Sequence, residues 1–255
     1  MRKLFLSTIA LAAIAVTPAL SADLSRPVVK APPVAPPVYS WTGCYLGAGG
    51  GYGMWNQDTV TLDDSIPVSS RERSGGRGWF GTVGGGCDYQ IAQRWVIGAF
   101  ADYDFASIKG DFVLPLTTLI GSEKERSAWA VGGRIGYVVT PALLAYVSGG
   151  FTEARFSSVS LFAPTIHPVS SGLTVPAHTF SGWFIGSGYE YNLGWLPGLF
   201  WKTEYRFADY GSDVVPIFDR GRLTDLSVDT RKTVQTIRSE LVWRFNWGGP
   251  LRAAY

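Results

Sequence analysis

Eleven ionisable residues in this 255-residue sequence fall where period-two spacing would gather them on one face. The acids are Asp88, Asp102, Asp104, Glu190, Glu204 and Glu240, and the bases are Arg134, Lys202, Arg206, Arg238 and Arg244. Around Arg238, Glu240 and Arg244 the other parity holds Ile237, Leu241, Trp243, Phe245 and Trp247. The split repeats with Lys202, Glu204 and Arg206 against Trp201, Tyr205 and Phe207, and with Asp102 and Asp104 against Trp95, Ile97, Tyr103 and Phe105. Arg134 stands likewise against Trp129, Val131, Ile135, Tyr137 and Val139. Charges confined to a narrow interior must pair or neutralise, so the chemistry expected of this set is an interlocked ionic plug. A narrow, gated water path between the same residues is the alternative.

The other reactive side chains are few. Cys44 and Cys87 are the two cysteines; if they face each other on neighbouring strands, Gln57 faces Ser74, a sensible register. An oxidising compartment would let them bond, and two lipid-side thiols acting as small hydrophobes is the other reading. No histidine pattern accompanies them, so no metal or cofactor is expected. His167 and His178, beside Ser170, Ser171 and Thr179 with Glu153 nearby, are the only material for a lipid hydrolase or acyltransferase, and ordinary loop histidines explain them as well. The glycine-rich stretches at 47–53 and 84–86 lack the spacing and the following helix of a phosphate loop. The expectation is no enzyme.

Strands must position these residues, because the alternation is period two. Eight are expected, near 41–57, 78–92, 95–112, 127–140, 143–157, 179–193, 199–212 and 232–247. The connections at Gln93-Arg94, Pro141-Ala142 and 194–198 are short, while those at 58–77, 113–126, 158–178 and 213–231 are long and polar. Strict alternation of short and long connections is the habit of an outer-membrane barrel, whose apolar face meets lipid and whose polar face lines the bore. A soluble sandwich would carry the same periodicity with the faces reversed. The fold expected is therefore an all-β, closed, antiparallel transmembrane barrel of about eight strands in up-and-down order. Trp41, Trp79, Trp95, Trp195, Trp201 and Trp247 are placed to form interfacial girdles, and with eight strands the bore is only wide enough for side chains. Glycines such as Gly47, Gly84, Gly132 and Gly186 would make room for the long charged ones.

The ends and composition agree. Residues 1–22, with Arg2 and Lys3 before an apolar run and a small-residue stretch at 19–22, read as a secretory signal peptide, cleaved after Ser21 or Ala22. Residues 23–40 are a proline-rich periplasmic leader, and 41–255 form the barrel domain. Aromatics make up 14% of the chain and charged residues 16%, where a soluble domain carries nearer a quarter. Lipid replaces the missing polar surface. A net charge of +2 without a basic cluster excludes nucleic acid as a partner. The expected partners are outer-membrane lipid, the barrel-assembly machinery, and host or ligand molecules met by loops carrying Asp58, Asp63, Asp64, Arg71, Glu72, Arg73 and Glu123 to Arg126.

Three stretches resemble one family: Trp41 to Ala48, Gly85 to Gln90, and Trp243 to Pro250. They are similar to the small outer-membrane β-barrel proteins of rhizobia and related alphaproteobacteria, grouped as porin-family or OmpA-like surface proteins. The resemblance covers the whole mature chain and implies an abundant envelope protein and surface antigen; haemin binding or porin activity is credited to some members, with no motif that lays onto particular residues here. Family members commonly carry an aromatic where Cys44 stands, so a disulfide is no implication of the resemblance. The function expected is a structural outer-membrane barrel with a filled bore that supports envelope integrity and surface contact, with a small porin or a surface-binding protein as alternatives.

Overall fold

The computed structural model describes residues 40–165 and 169–245. The expected signal peptide, the leader up to residue 39, His167 and Trp247 lie outside the described residues. The strands are β1 (Gly43–Asp63), β2 (Ile66–Pro67), β3 (Glu72–Gln90), β4 (Trp95–Val113), β5 (Ile120–Thr140), β6 (Leu143–Phe156), β7 (Val159–Ala163), β8 (Val169–Val175), β9 (His178–Asn192), β10 (Leu199–Asp219) and β11 (Arg222–Phe245). Eight of them form a ring in sequence order, β1-β3-β4-β5-β6-β9-β10-β11, and β11 closes on β1 from Cys44 opposite Phe245 to Asp63 opposite Leu226. Closure is what permits the sheet to sit in hydrocarbon, where an open edge would leave backbone groups unpaired.

Outward side chains fall into a band. Tyr89, Trp95, Tyr137, Tyr191, Trp201 and Trp243 ring the end with short turns, and Trp79, Phe105, Trp129, Phe151, Trp183 and Phe207 ring the other. From Tyr89 to Trp79 the chain takes about ten residues, the number that crosses a ~25 Å apolar layer on a tilted strand. Leu46, Val83, Ile97, Ile135, Ile185 and Leu241 lie exposed between the girdles. The band is a lipid-facing surface, and the barrel is a transmembrane one. Trp79, Trp95 and Trp201 sit in the girdles, and Trp195 is exposed in the 193–198 turn. Trp41 is not a girdle residue: it is fully buried in the mouth of the bore, its ring 5.2 Å from that of Phe200. It shares the inward odd parity of Gly43 and Tyr45, so the alternation of β1, carried back across its start, turns it into the bore.

The four long connections differ from the polar loops expected. β10 and β11 continue past the outer girdle to a two-residue turn at Arg220 and Gly221, both with positive φ, which matches the twist of a tight hairpin. β1 likewise turns at Asp64 and Ser65 into β2. β7 and β8 pair with each other and with β5 and β10, so the wall continues where β6 and β9 stop. Bulges absorb the breaks that the sequence suggests, between Asp209 and Ser212 on β10 and between Glu125 and Ser127 on β5.

Beyond a buried Lys232–Glu123 pair just above the outer girdle, the interior is mainly apolar. Phe112, Leu114, Phe156, Leu161, Phe180 and Ile217 are each at most 2% exposed and pack in one cluster that reaches down to Trp55. This half of the wall has its oily side inward, as a water-soluble domain would. The reversal has a cause: outside the lipid the hydrophobic effect again drives apolar side chains off the outer surface. Leu161→Ala should therefore cost about 2–5 kcal/mol within the outer half. Externally added protease should cleave that variant near β7 and β8 while the unboiled barrel keeps its fast gel mobility.

Candidate functional site

The bore holds three layers of buried charge. Nearest the short-turn end, Arg134 on β5 grips Asp88 on β3 through Nε (2.9 Å) and Nη2 (2.5 Å). Arg244 on β11 grips Glu190 on β9 through Nε (2.5 Å) and Nη2 (2.9 Å), and its Nη2 lies 2.7 Å from Asp88. Arg134 reaches Glu190 as well, at 3.3 Å. The four side chains come from four strands and tie opposite walls together. Their guanidinium planes are enclosed by rings: Tyr45 lies 4.6 Å from Arg134, and Trp41 and Tyr45 each lie 4.9 Å from Arg244. Planar, weakly hydrated guanidinium groups suit such stacked, bidentate sites better than lysine does.

The middle layer centres on Asp102. It accepts bonds from Arg206 at 2.8 and 3.0 Å and from Arg238 at 3.1 Å, while Arg238 also donates to Asp104 at 2.9 Å. Arg206 donates to Glu204 (2.9 Å), which accepts from the Tyr146 hydroxyl (2.9 Å), and Lys202 lies 3.1 Å from Glu240. All eleven residues singled out by parity are at most 8% exposed. Strand alternation puts each of them inward, and the inward glycines leave space: a Cβ on Gly186 would come within 3.1 Å of Glu204, and one on Gly47 within 3.1 Å of Glu240.

The third layer escaped the sequence reading. Lys232 on β11 donates to both oxygens of Glu123 at 2.8 Å and to Gln57, under Phe156 at 4.1 Å. Glu123 and Glu125, read as solvated loop charge, are 6% and 3% exposed. The signal was present, because Glu123 and Glu125 share one parity while Lys124 and Arg126 share the other. Eight buried carboxylates thus face six buried bases among the described residues. Glu125 has no partner for its Oε2, and burial first, then the charge of Asp104, pushes its pKa up to about 8. A proton on Glu125 offsets part of the excess. The cavity it shares with Arg206, Tyr210 and Arg238 measures about 20 Å3, room for a water molecule.

The remaining reactive side chains lie apart from these layers. Cys44 and Cys87 are cross-strand partners on the lipid side, joined with Sγ–Sγ 2.05 Å, and Gln57 stands opposite Ser74 in the same register. His178 Nε2 lies 2.7 Å from Asp213, and Ser171 donates to the Leu161 carbonyl. Among the described residues His178 has no serine partner.

A family model described as outer membrane protein beta-barrel domain matches residues 8–245. The chain belongs to that family. It is 28% identical over 257 residues to the 31 kDa outer-membrane immunogenic protein of Brucella melitensis, covering 96% of this chain and all of the relative. It is 26% identical over 196 residues to the 25 kDa outer-membrane immunogenic protein of Brucella ovis, covering 76% of this chain and 82% of the relative. Among solved structures, the outer membrane protein OprG of Pseudomonas aeruginosa matches with a TM-score of 0.51 and 11% identity, over 80% of this chain and 97% of that one. Family, relatives and lipid-facing band together place the protein in the Gram-negative outer membrane.

Removing one partner from a buried network leaves the others uncompensated, at about 3–5 kcal/mol. Arg244→Met should lower the urea midpoint of vesicle-embedded protein accordingly, and adding Glu190→Gln should recover part of the loss, as a double-mutant cycle reads out. Glu125 gives a pH signature. Below its ordinary pKa of 4.5 the carboxyl is protonated folded and unfolded alike; between 4.5 and about 8 the unfolded chain gives up the proton that the folded barrel keeps. Its contribution to stability is therefore lost as pH rises through that window. Glu125→Gln should flatten the fall, with unfolding midpoints at least equal to wild type at pH 8.

Proposed function

We propose that this protein is a structural, non-conducting outer-membrane barrel. Its cross-linked bore stiffens the wall, and its outer half presents a rigid surface to the cell's exterior. The observation that carries this reading is the filling of the bore: ion pairs between non-adjacent strands fill it in three layers, those of Arg206 with Asp102 and Lys232 with Glu123 joining opposite walls, and the apolar cluster of Phe112, Phe156, Phe180 and Ile217 closes the outer half above them. Moving a hydrated ion through would require breaking several buried pairs at once, each costing kilocalories.

Surface contact is the second part of the proposal. The relatives' names describe immunogenic outer-membrane proteins, and here the β1–β2 hairpin, the β7–β8 hairpin and the β10–β11 turn form the end beyond the outer girdle. Host or ligand molecules would meet those parts, after insertion by the barrel-assembly machinery. Function then rests on shape and lipid contact rather than turnover.

Planar-bilayer recording from pure refolded protein should show no steady unit conductance. Reproducible unit steps would replace this reading with that of a small porin.

A further inference from the structure

The outer wall carries a row of three cations that the barrel itself does not neutralise. Arg77 on β3 stands directly opposite Lys109 on β4, and Lys109 directly opposite Lys124 on β5. Like charges in register across strands weaken a sheet. Among the described residues none of the three forms an ion pair, whereas the neighbouring Arg73 and Arg231 are each held at 2.7 Å, by Asp58 and Asp209.

Their position is specific. Arg77 lies two residues beyond Trp79, Lys109 four beyond Phe105, and Lys124 five beyond Trp129, so each sits just outside the outer girdle. Arg77 and Lys109 flank a groove of about 430 Å3 whose wall includes Met54, Gly75 and Ser122. A Cβ on Gly75 would meet the Trp55 carbonyl oxygen at 2.7 Å, so the floor stays bare. Asp111 is the one carboxylate on its lining, against two bases, and the groove is net positive. Below it, on the same strands and inside the lipid band, Leu46, Val83, Ala101, Tyr103 and Trp129 line a second, apolar groove of about 580 Å3.

We propose that these two grooves form one binding site for a phosphorylated, multiply acylated glycolipid of the outer leaflet. The phosphate lies between Arg77 and Lys109, with Lys124 at its side, and an acyl chain fills the apolar groove. The ligand's charge removes the repulsion along the row, which the protein alone leaves standing. A free phosphate would use the upper groove only, and a neutral lipid the lower one only.

The test uses the refolded protein in phosphatidylcholine vesicles, with the temperature at which unboiled gel mobility is lost as readout. Vesicles containing bis-phosphorylated lipid A should raise that temperature by several degrees. Fully dephosphorylated lipid A, or inorganic phosphate added to plain vesicles, should not. The Arg77→Gln/Lys109→Gln variant should melt in plain vesicles at or above the wild-type temperature, which shows that it folds, and should lose the lipid A shift. Arg220→Gln/Arg222→Gln removes the same charge at the distant β10–β11 turn and should keep the shift. The proposal is overturned if the groove variant retains the full shift, if the distant variant loses it equally, or if the dephosphorylated lipid or phosphate alone reproduces it.

Discussion

Hydrocarbon offers no hydrogen bonds, so every peptide group within the band must find its partner in the chain itself. Sequential pairing around the ring and the closure of β11 on β1 meet that demand, and the rest of the structure follows. Closing eight strands leaves a bore about wide enough for side chains to fill. Since the apolar parity is taken by lipid, the polar parity has nowhere to go but inward. Buried charge is thus a consequence of closure in lipid, and pairing across the bore is the way such charge is tolerated.

The reversal at the outer girdle makes the same point from the other side. β10 holds Lys202, Glu204 and Arg206 inward within the band, and Val215 and Ile217 inward beyond it. The chain keeps its course while the solvent outside changes, and the polarity of the interior changes with it. Lys232 and Glu123 sit at the boundary, paired with each other beneath Phe156 and Phe180. The wall beyond the membrane is held by the same kind of core that holds a soluble protein.

Much of the band was legible because parity survives wherever a strand runs unbroken. On β11 the even positions from Arg238 to Arg244 are charged apart from Val242 and the odd ones from Ile237 to Phe245 apolar apart from Ser239, so their chemistry assigns the faces. Legibility failed where local signals competed with the strand. Gly211, Ser212, Asp213 and Pro216 spell a loop, yet a bulge with Gly211 at positive φ lets β10 continue. The bulge at Glu125 shifts parity within β5, which hid both acids above it. Trp41 and Trp55 are chemically suited to a girdle, yet both share the inward odd parity of Tyr45 and Gly47, and they lie inside.

The direction in which the tryptophans point is the central claim, and quenching by brominated phospholipid reads it directly. In vesicles of brominated phosphatidylcholine, single-tryptophan variants retaining Trp183 or Trp243 should lose most of their emission, while those retaining Trp41 or Trp55 should keep theirs. Strong quenching of Trp55 together with bright, iodide-accessible Trp243 would mean that the barrel is not lipid-facing on its apolar side, and the account would be wrong.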